Sequence, residues 1–235
     1  QCRGPRPQRP LSVAHAAAQS VLLAGGSGLV GTALSALLRQ LTPAPTVHQL
    51  VRREPADADA SVRSTVWHTV DFSSLPTLPR AEWAFCCLGT TIRHAGSQQA
   101  FAAVDRDAVL AFAKAAHVAG VSRFAVVSAL GANQASATFY NRIKGEMEAA
   151  VCQLGFDVLV IVRPSLLVGD RAALKQPPRL AERLALCATA PIAALLPARW
   201  RPVKALAVAH EMLAAMRRGN PGVHIVESAD LHRPR

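Results

Sequence analysis

Residues 21–31 read Val-Leu-Leu-Ala-Gly-Gly-Ser-Gly-Leu-Val-Gly, and this order decides how the rest of the chain is read. A short apolar run ends in closely spaced glycines. A helical pattern follows without a gap, from Leu29 to about Gln40, and stops before Pro43 and Pro45. Strand, tight glycine turn and helix in that order make a cradle for phosphate. Glycine tolerates positive φ and lets backbone approach a pyrophosphate with no Cβ in the way. The N–H groups that open the helix, at the positive end of its dipole, favour the anion. The spacing Gly25-x-x-Gly28-x-x-Gly31 is a relaxed dinucleotide fingerprint, and it marks Gly25, Ser27, Gly28, Leu29, Val30 and Gly31 as candidate phosphate contacts. A plain turn between core elements is the alternative, so the weight falls on what surrounds it.

Moving outward, residues 47–51 form a second expected strand, followed at once by Arg52 and Arg53. The tip of that strand lies beside the adenosine ribose of a bound dinucleotide. An acidic residue about 20 positions beyond the glycines would hold a ribose 2′-OH. Two arginines stand there instead, and their forked donors suit a 2′-phosphate, so NADP(H) is preferred over NAD(H). Residues 66–70 read as a third strand, ending at Asp71 and Phe72. Asp71 is placed to accept from an adenine amino group or to cap a loop, and Phe72 to lie against the ring. Residues 83–88 are continuously apolar, as in a central parallel strand covered on both faces, and run into Leu88-Gly89-Thr90 beside the cofactor. Cys86 and Cys87 are expected to pack rather than react.

Residues 98–119 show one apolar helix face at Phe101, Val104, Ala108, Ala111, Phe112, Ala115 and Val118, closed by Gly120. Then come a strand at 123–127 ending in Ser128, a helix at 138–154, and a strand at 158–162 ending in Arg163-Pro164-Ser165. Alternation with short links predicts an α/β doubly wound parallel sheet with ligand at the carboxyl ends of its strands. Beyond residue 170 the prolines 177, 178, 191, 197 and 202 break the pattern. A helix at 203–218 and a short strand at 224–226 follow. The division is a flexible leader over 1–19, a nucleotide-binding domain over 20–170, and a small helical cap over 171–235 belonging to the same compact unit.

Composition narrows the classes. The net charge is +11, but the leader and residues 171–218 carry the excess, and the middle of the chain is nearly balanced. No aromatic-studded basic face or nucleic-acid module is visible, so no nucleic-acid partner is expected. Membrane association is not expected either: residues 184–196 are interrupted by Pro191 and too short to span a bilayer. Cys2, Cys86, Cys87, Cys152 and Cys187 are odd in number and scattered, which suggests reduced thiols, no metal site and a cytoplasmic protein.

Tyr140 and Lys144 lie at i and i+4 on one helix face, with Ser128 at a strand end twelve residues upstream. A free tyrosine, with a pKa of about 10, is a poor base at neutral pH. A neighbouring ammonium favours the phenolate, so Tyr140 is assigned proton transfer, Lys144 its tuning and the orienting of the cofactor ribose, and Ser128 the holding of a substrate oxygen, with Tyr140 and Lys144 both also candidate cofactor contacts. With these residues the chain resembles an atypical short-chain dehydrogenase/reductase. Residues 85–91 (Phe-Cys-Cys-Leu-Gly-Thr-Thr), 104–107 (Val-Asp-Arg-Asp), Phe139-Tyr140 with Lys144-Gly145-Glu146, and Arg163-Pro164-Ser165 with Gly169-Asp170-Arg171 resemble, more narrowly, the Tat-interacting-protein oxidoreductase branch. The resemblance implies a Rossmann-type fold, NADPH, a Ser-Tyr-Lys group, and Pro164 and Ser165 lining the nicotinamide side. It also places Asp105 where many relatives carry a relay asparagine. The expected activity is hydride exchange between NADP(H) and a carbonyl or alcohol of a small molecule. The alternative is an NADPH-binding regulatory protein acting through a protein partner.

Overall fold

The computed structural model describes residues 18–53, 64–169 and 197–233. Seven parallel strands form one sheet in the order β3-β2-β1-β4-β5-β6-β9: β1 (Ser20–Ala24), β2 (Thr46–Val51), β3 (Thr65–Thr69), β4 (Trp83–Cys86), β5 (Arg123–Val127), β6 (Val158–Arg163) and β9 (Gly222–Glu227). Strands β7 (Leu167–Val168) and β8 (Val203–Lys204) pair separately, also in parallel. The order reverses between β1 and β4, and a sheet wound in both directions opens a crevice at that switch point, beyond the carboxyl ends of its strands.

Both sheet faces are buried, which is why the strands read as apolar runs rather than alternating ones. Alternate residues of each strand go to opposite faces. Val21 and Leu23 of β1 join Phe85, Ala125, Val160 and Val162 beneath helix α1 (Leu29–Arg39) and helix α6 (Ala205–Arg218). Leu22 and Ala24 join Ala84, Val126, Leu159 and Ile161 on the other side. There they meet Phe112 of the helix over 109–118 and Met147 and Val151 of helix α5 (Phe139–Cys152). Phe124 and Phe156 stack in that second layer, with ring centroids 4.8 Å apart.

Two expectations are corrected. The described part of the expected cap belongs to the main body: α6 packs on α1, and β9 is the seventh strand, in register beside β6. The apolar alternation of so short a strand cannot announce which sheet it joins. The proline-rich stretch at 170–196, with Pro177, Pro178 and Pro191, lies outside the described residues.

The expected helix over 98–119 is interrupted. It consists of α3 (Gln98–Ala102), a π-helical turn (Ala103–Ala108) and α4 (Val109–Val118), after a short α2 (Ile92–Ala95) that sequence reading missed. A π-turn carries one extra residue and so shifts the phase of everything after it. The buried residues are Phe101, Ala102, Asp105, Val109, Phe112, Ala113 and Ala116, against the expected 101, 104, 108, 111, 112, 115 and 118. Val118, expected inside, is 83% exposed.

Candidate active site

The glycine turn comes first. Gly25 has φ +81°, and a Cβ there would lie 2.5 Å from the Cys87 carbonyl carbon and oxygen at the end of β4. Gly28 N–H donates to the Gly25 carbonyl at 3.1 Å, and the Thr32 hydroxyl to the Gly26 carbonyl at 3.1 Å, closing the loop on itself. Gly31 faces the Gly25 and Gly26 backbone with no room for a side chain. Gly28, by contrast, has open space outside: its nearest neighbour to an added Cβ is the Gly25 carbonyl oxygen at 3.4 Å. Helix α1 starts at Leu29 with no side-chain cap and no acidic residue in its first turn. Backbone donors at an uncapped helix start, behind a turn of three glycines and Ser27, fit a pyrophosphate.

Across the switch point lie Leu88, Gly89 and Thr90. The Thr90 N–H donates to Asp105 Oδ2 at 2.8 Å, and Lys144 Nζ lies 2.7 Å from Asp105 Oδ1. Both partners of that ion pair are almost wholly buried, at 4% and 1% side-chain exposure. Burial pulls the Lys144 ammonium down, but the charges of Asp105 and Tyr140 outweigh it and hold its pKa above the ordinary lysine value. Tyr140, half-buried one helical turn away, packs its ring 5.2 Å from that of Phe101. Phenol and buried ammonium therefore share one patch at the carboxyl edge of the sheet. Burial pushes both nearby thiols up, Cys86 to about 12, so they pack as expected.

Ser128 meets a partner that sequence reading did not name. It is 4% exposed, and its Oγ lies 2.5 Å from Glu148 Oε1. Arg163 clamps the same carboxylate, Nε to Oε1 at 3.0 Å and Nη2 to Oε2 at 2.6 Å, and reaches Glu227 of β9 at 2.9 Å. A carboxylate paired with a guanidinium only accepts, so the serine must donate to it, and its single proton is committed inside the protein. Glu148, Arg163 and Glu227 were missed in the sequence. The available signal was Glu148 itself, an acid at i+4 from Lys144 and i+8 from Tyr140, on the inward face of α5.

The remaining candidates divide. Arg52 and Arg53 are exposed at the carboxyl end of β2, just before the undescribed 54–63. Asp71 is exposed, and its Oδ1 accepts from the Ser73 N–H at 2.8 Å, an ordinary turn cap that lowers its pKa. Phe72 is 8% exposed and packs in the core, which corrects its placement against an adenine ring. Pro164 is buried at the end of β6. Ser165 Oγ donates to the Arg201 carbonyl at 2.5 Å, and its N–H to Ser228 Oγ at 3.1 Å, so it ties β6 to the later chain. Of the residues named near Asp105, Asp107 is exposed and bonds to Arg106, whereas Asp105 is buried. No group of metal-ligating side chains occurs among the described residues, and no described helix is long and apolar enough to cross a membrane.

Protein HTATIP2 of Rattus norvegicus is 36% identical to this chain over 157 residues, which cover 65% of the chain and 64% of that protein. "Protein FMP52, mitochondrial" of Debaryomyces hansenii is 34% identical over 157 residues, covering 65% of the chain and 68% of that protein. Matches to the curated relatives thus span about two thirds of their length, somewhat less for HTATIP2. Among solved structures, MoeE5 in complex with UDP-glucose and NAD superposes with a TM-score of 0.66 at 16% identity, covering 88% of this chain and 74% of that one. Helicobacter pylori ADP-L-glycero-D-manno-heptose-6-epimerase gives 0.64 at 17%, covering 89% and 76%. Identities this low bear on fold alone. No family model matches the chain. The cytoplasmic expectation is overturned by the relatives, since the FMP52 proteins of several fungi are named mitochondrial.

Proposed function

The chain belongs to the atypical short-chain dehydrogenase/reductases, in the branch that holds HTATIP2 and the FMP52 proteins, and from that premise we infer that it is an NADP(H)-dependent oxidoreductase. One observation carries the reading: a phenol, Tyr140, and a buried ammonium, Lys144, stand together at the carboxyl edge of the sheet, across the switch point from an uncapped glycine turn. The glycine turn, from Gly25 to Gly31, would hold the pyrophosphate, and Arg52 with Arg53 the 2′-phosphate. Asp71 would meet the adenine amino group. Leu88, Gly89 and Thr90, with the backbone of Pro164 and Ser165, would border the nicotinamide end. The nicotinamide supplies the hydride when bound. Tyr140 gives a proton to, or takes one from, the substrate oxygen, and Lys144 favours its phenolate. The substrate class is a small, fairly apolar carbonyl or alcohol. The mitochondrial names of the relatives support a mitochondrial location, which subcellular fractionation checks.

Thermal shift with NADPH, NADP, NADH and NAD tests the cofactor. A ligand at 100 times its dissociation constant adds about 2.7 kcal/mol. The phosphorylated pair should shift the melting temperature more, and Arg52→Ser with Arg53→Ser should erase that difference. Equal shifts for all four would return the arginines to the solvated surface. Tyr140→Phe should lower carbonyl-dependent NADPH oxidation by roughly 100-fold or more while NADPH binding persists. Undiminished turnover would sink the assignment.

The commitment of the Ser128 proton to Glu148 favours a second reading, a protein that binds NADPH and signals its occupancy to a partner without turnover. It expects a full NADPH shift with no oxidation across a broad carbonyl panel.

A further inference from the structure

Asp105 is the most deeply buried charged side chain among the described residues, at 1% exposure. It lies on the inward side of the π-turn over 103–108, four residues after the buried Phe101. Both carboxylate oxygens face groups of the site: Oδ1 the Lys144 ammonium at 2.7 Å, Oδ2 the Thr90 N–H at 2.8 Å. We propose that Asp105 is a positioning residue, which fixes the Lys144 ammonium one helical turn from Tyr140 and keeps it charged, so that the acidity of the phenol is set from the π-turn.

The physical reason is the cost of a buried charge. An ammonium in a dry site without a counter-ion gives up its proton rather than stay charged. Burial is the largest influence on Lys144, and Asp105 is the largest one opposing it. Without Asp105, burial would win, and a neutral amine would no longer favour the phenolate. The titratable groups facing the pair are the Cys86 thiol from β4 and Tyr140 from α5. Glu148, one turn further along α5, is already held by Arg163 and Ser128, and Arg106 by Asp107 and Glu146 on the outer side.

The proposal rests on the reading of Tyr140 as the proton-transfer group, yet its test needs neither cofactor nor substrate. Tyr140 is the single tyrosine of the chain, so the ultraviolet absorbance of phenolate reports this residue alone. Titration of Asp105→Asn should place the phenolate midpoint higher than in the parent protein by about one pH unit. Lys144→Met should raise it as well. Adding Asp105→Asn to Lys144→Met should then leave the midpoint in place or lower it, because the carboxylate it removes repels a phenolate once its ammonium partner is gone. An unchanged or lowered midpoint in Asp105→Asn, or an equal rise in the Lys144→Met background, would overturn the proposal. If Asp105→Asn does not fold, nitrogen NMR of the parent protein decides: Lys144 must stay an ammonium through neutral and mildly alkaline pH, and a neutral amine there would refute it. Undiminished turnover by Tyr140→Phe would refute the proton-transfer reading instead and leave this titration standing.

Discussion

Glu148 ties the ends of β5 and β6 to α5 through one carboxylate. Its two oxygens take the Ser128 hydroxyl and two nitrogens of Arg163, and Arg163 in turn reaches Glu227 on the last strand. Side chain exposure is 7% for Glu148 and 20% for Arg163, so the pair is poorly screened by water. Glu148→Ala leaves a half-hidden guanidinium short of its main partner and a buried hydroxyl without its acceptor. Removing one member of such a pair costs about 3 kcal/mol. Urea unfolding should show that loss with an unchanged m-value, and Glu148→Gln, which still accepts from Ser128, should lose less. A loss under about 1 kcal/mol in the alanine variant would mean that the network is ornamental.

At the scale of elements, the glycine turn and the π-turn do opposite things to legibility. The turn is written in residue types: Gly25 needs a positive φ and a missing Cβ, and both needs are visible in the letters. Gly25→Ala should therefore cost about 2–3 kcal/mol, from strain at φ +81° and collision with Cys87. Gly28→Ala should barely change the melting temperature, since its backbone is extended and its space is open. Under the proposed pyrophosphate role of the turn it should still weaken NADPH binding at least about tenfold, because the added methyl group would stand in the path of the anion. Parallel losses of stability and affinity in both variants would show that the turn is structural only. The π-turn has no such letters. A regular helix over 98–119 accounts for the apolar residues almost as well, and the π-turn that packs against α5, with Asp105 on its inward side, has no signature of its own in the residue types.

For the molecule as a whole, one feature of the sheet edge makes stability depend on pH. His48 Nδ1 and His68 Nε2 lie 3.0 Å apart across β2 and β3, a distance at which one ring donates and the other accepts. Burial, and then the neighbouring His68, lower the pKa of His48. As pH falls through the ordinary histidine value of about 6.5, the unfolded chain takes up a proton that folded His48 refuses, so stability drains on acidification until the folded pKa is passed. His48→Gln should flatten the fall of melting temperature between neutral and mildly acidic pH relative to the parent. An identical slope in both proteins would remove the pair from the balance.

The order of residues alone was enough for six strands of the sheet, its winding and the candidate residues of the glycine turn and α5. Apolar runs of four to six residues alternating with helical stripes leave few other ways to bury both faces, and Gly25, Gly28, Tyr140 and Lys144 stand at spacings that local geometry alone converts into neighbours. Tertiary structure decided what those neighbours face. It joined β9 to the main sheet, turned Ser128 toward Glu148, buried Phe72, and rotated Asp105 onto Lys144. Contacts within one helical turn follow from chain geometry. The partner of a buried charge is chosen by elements far apart in sequence, because an uncompensated charge inside a dry core costs more than any local preference can supply.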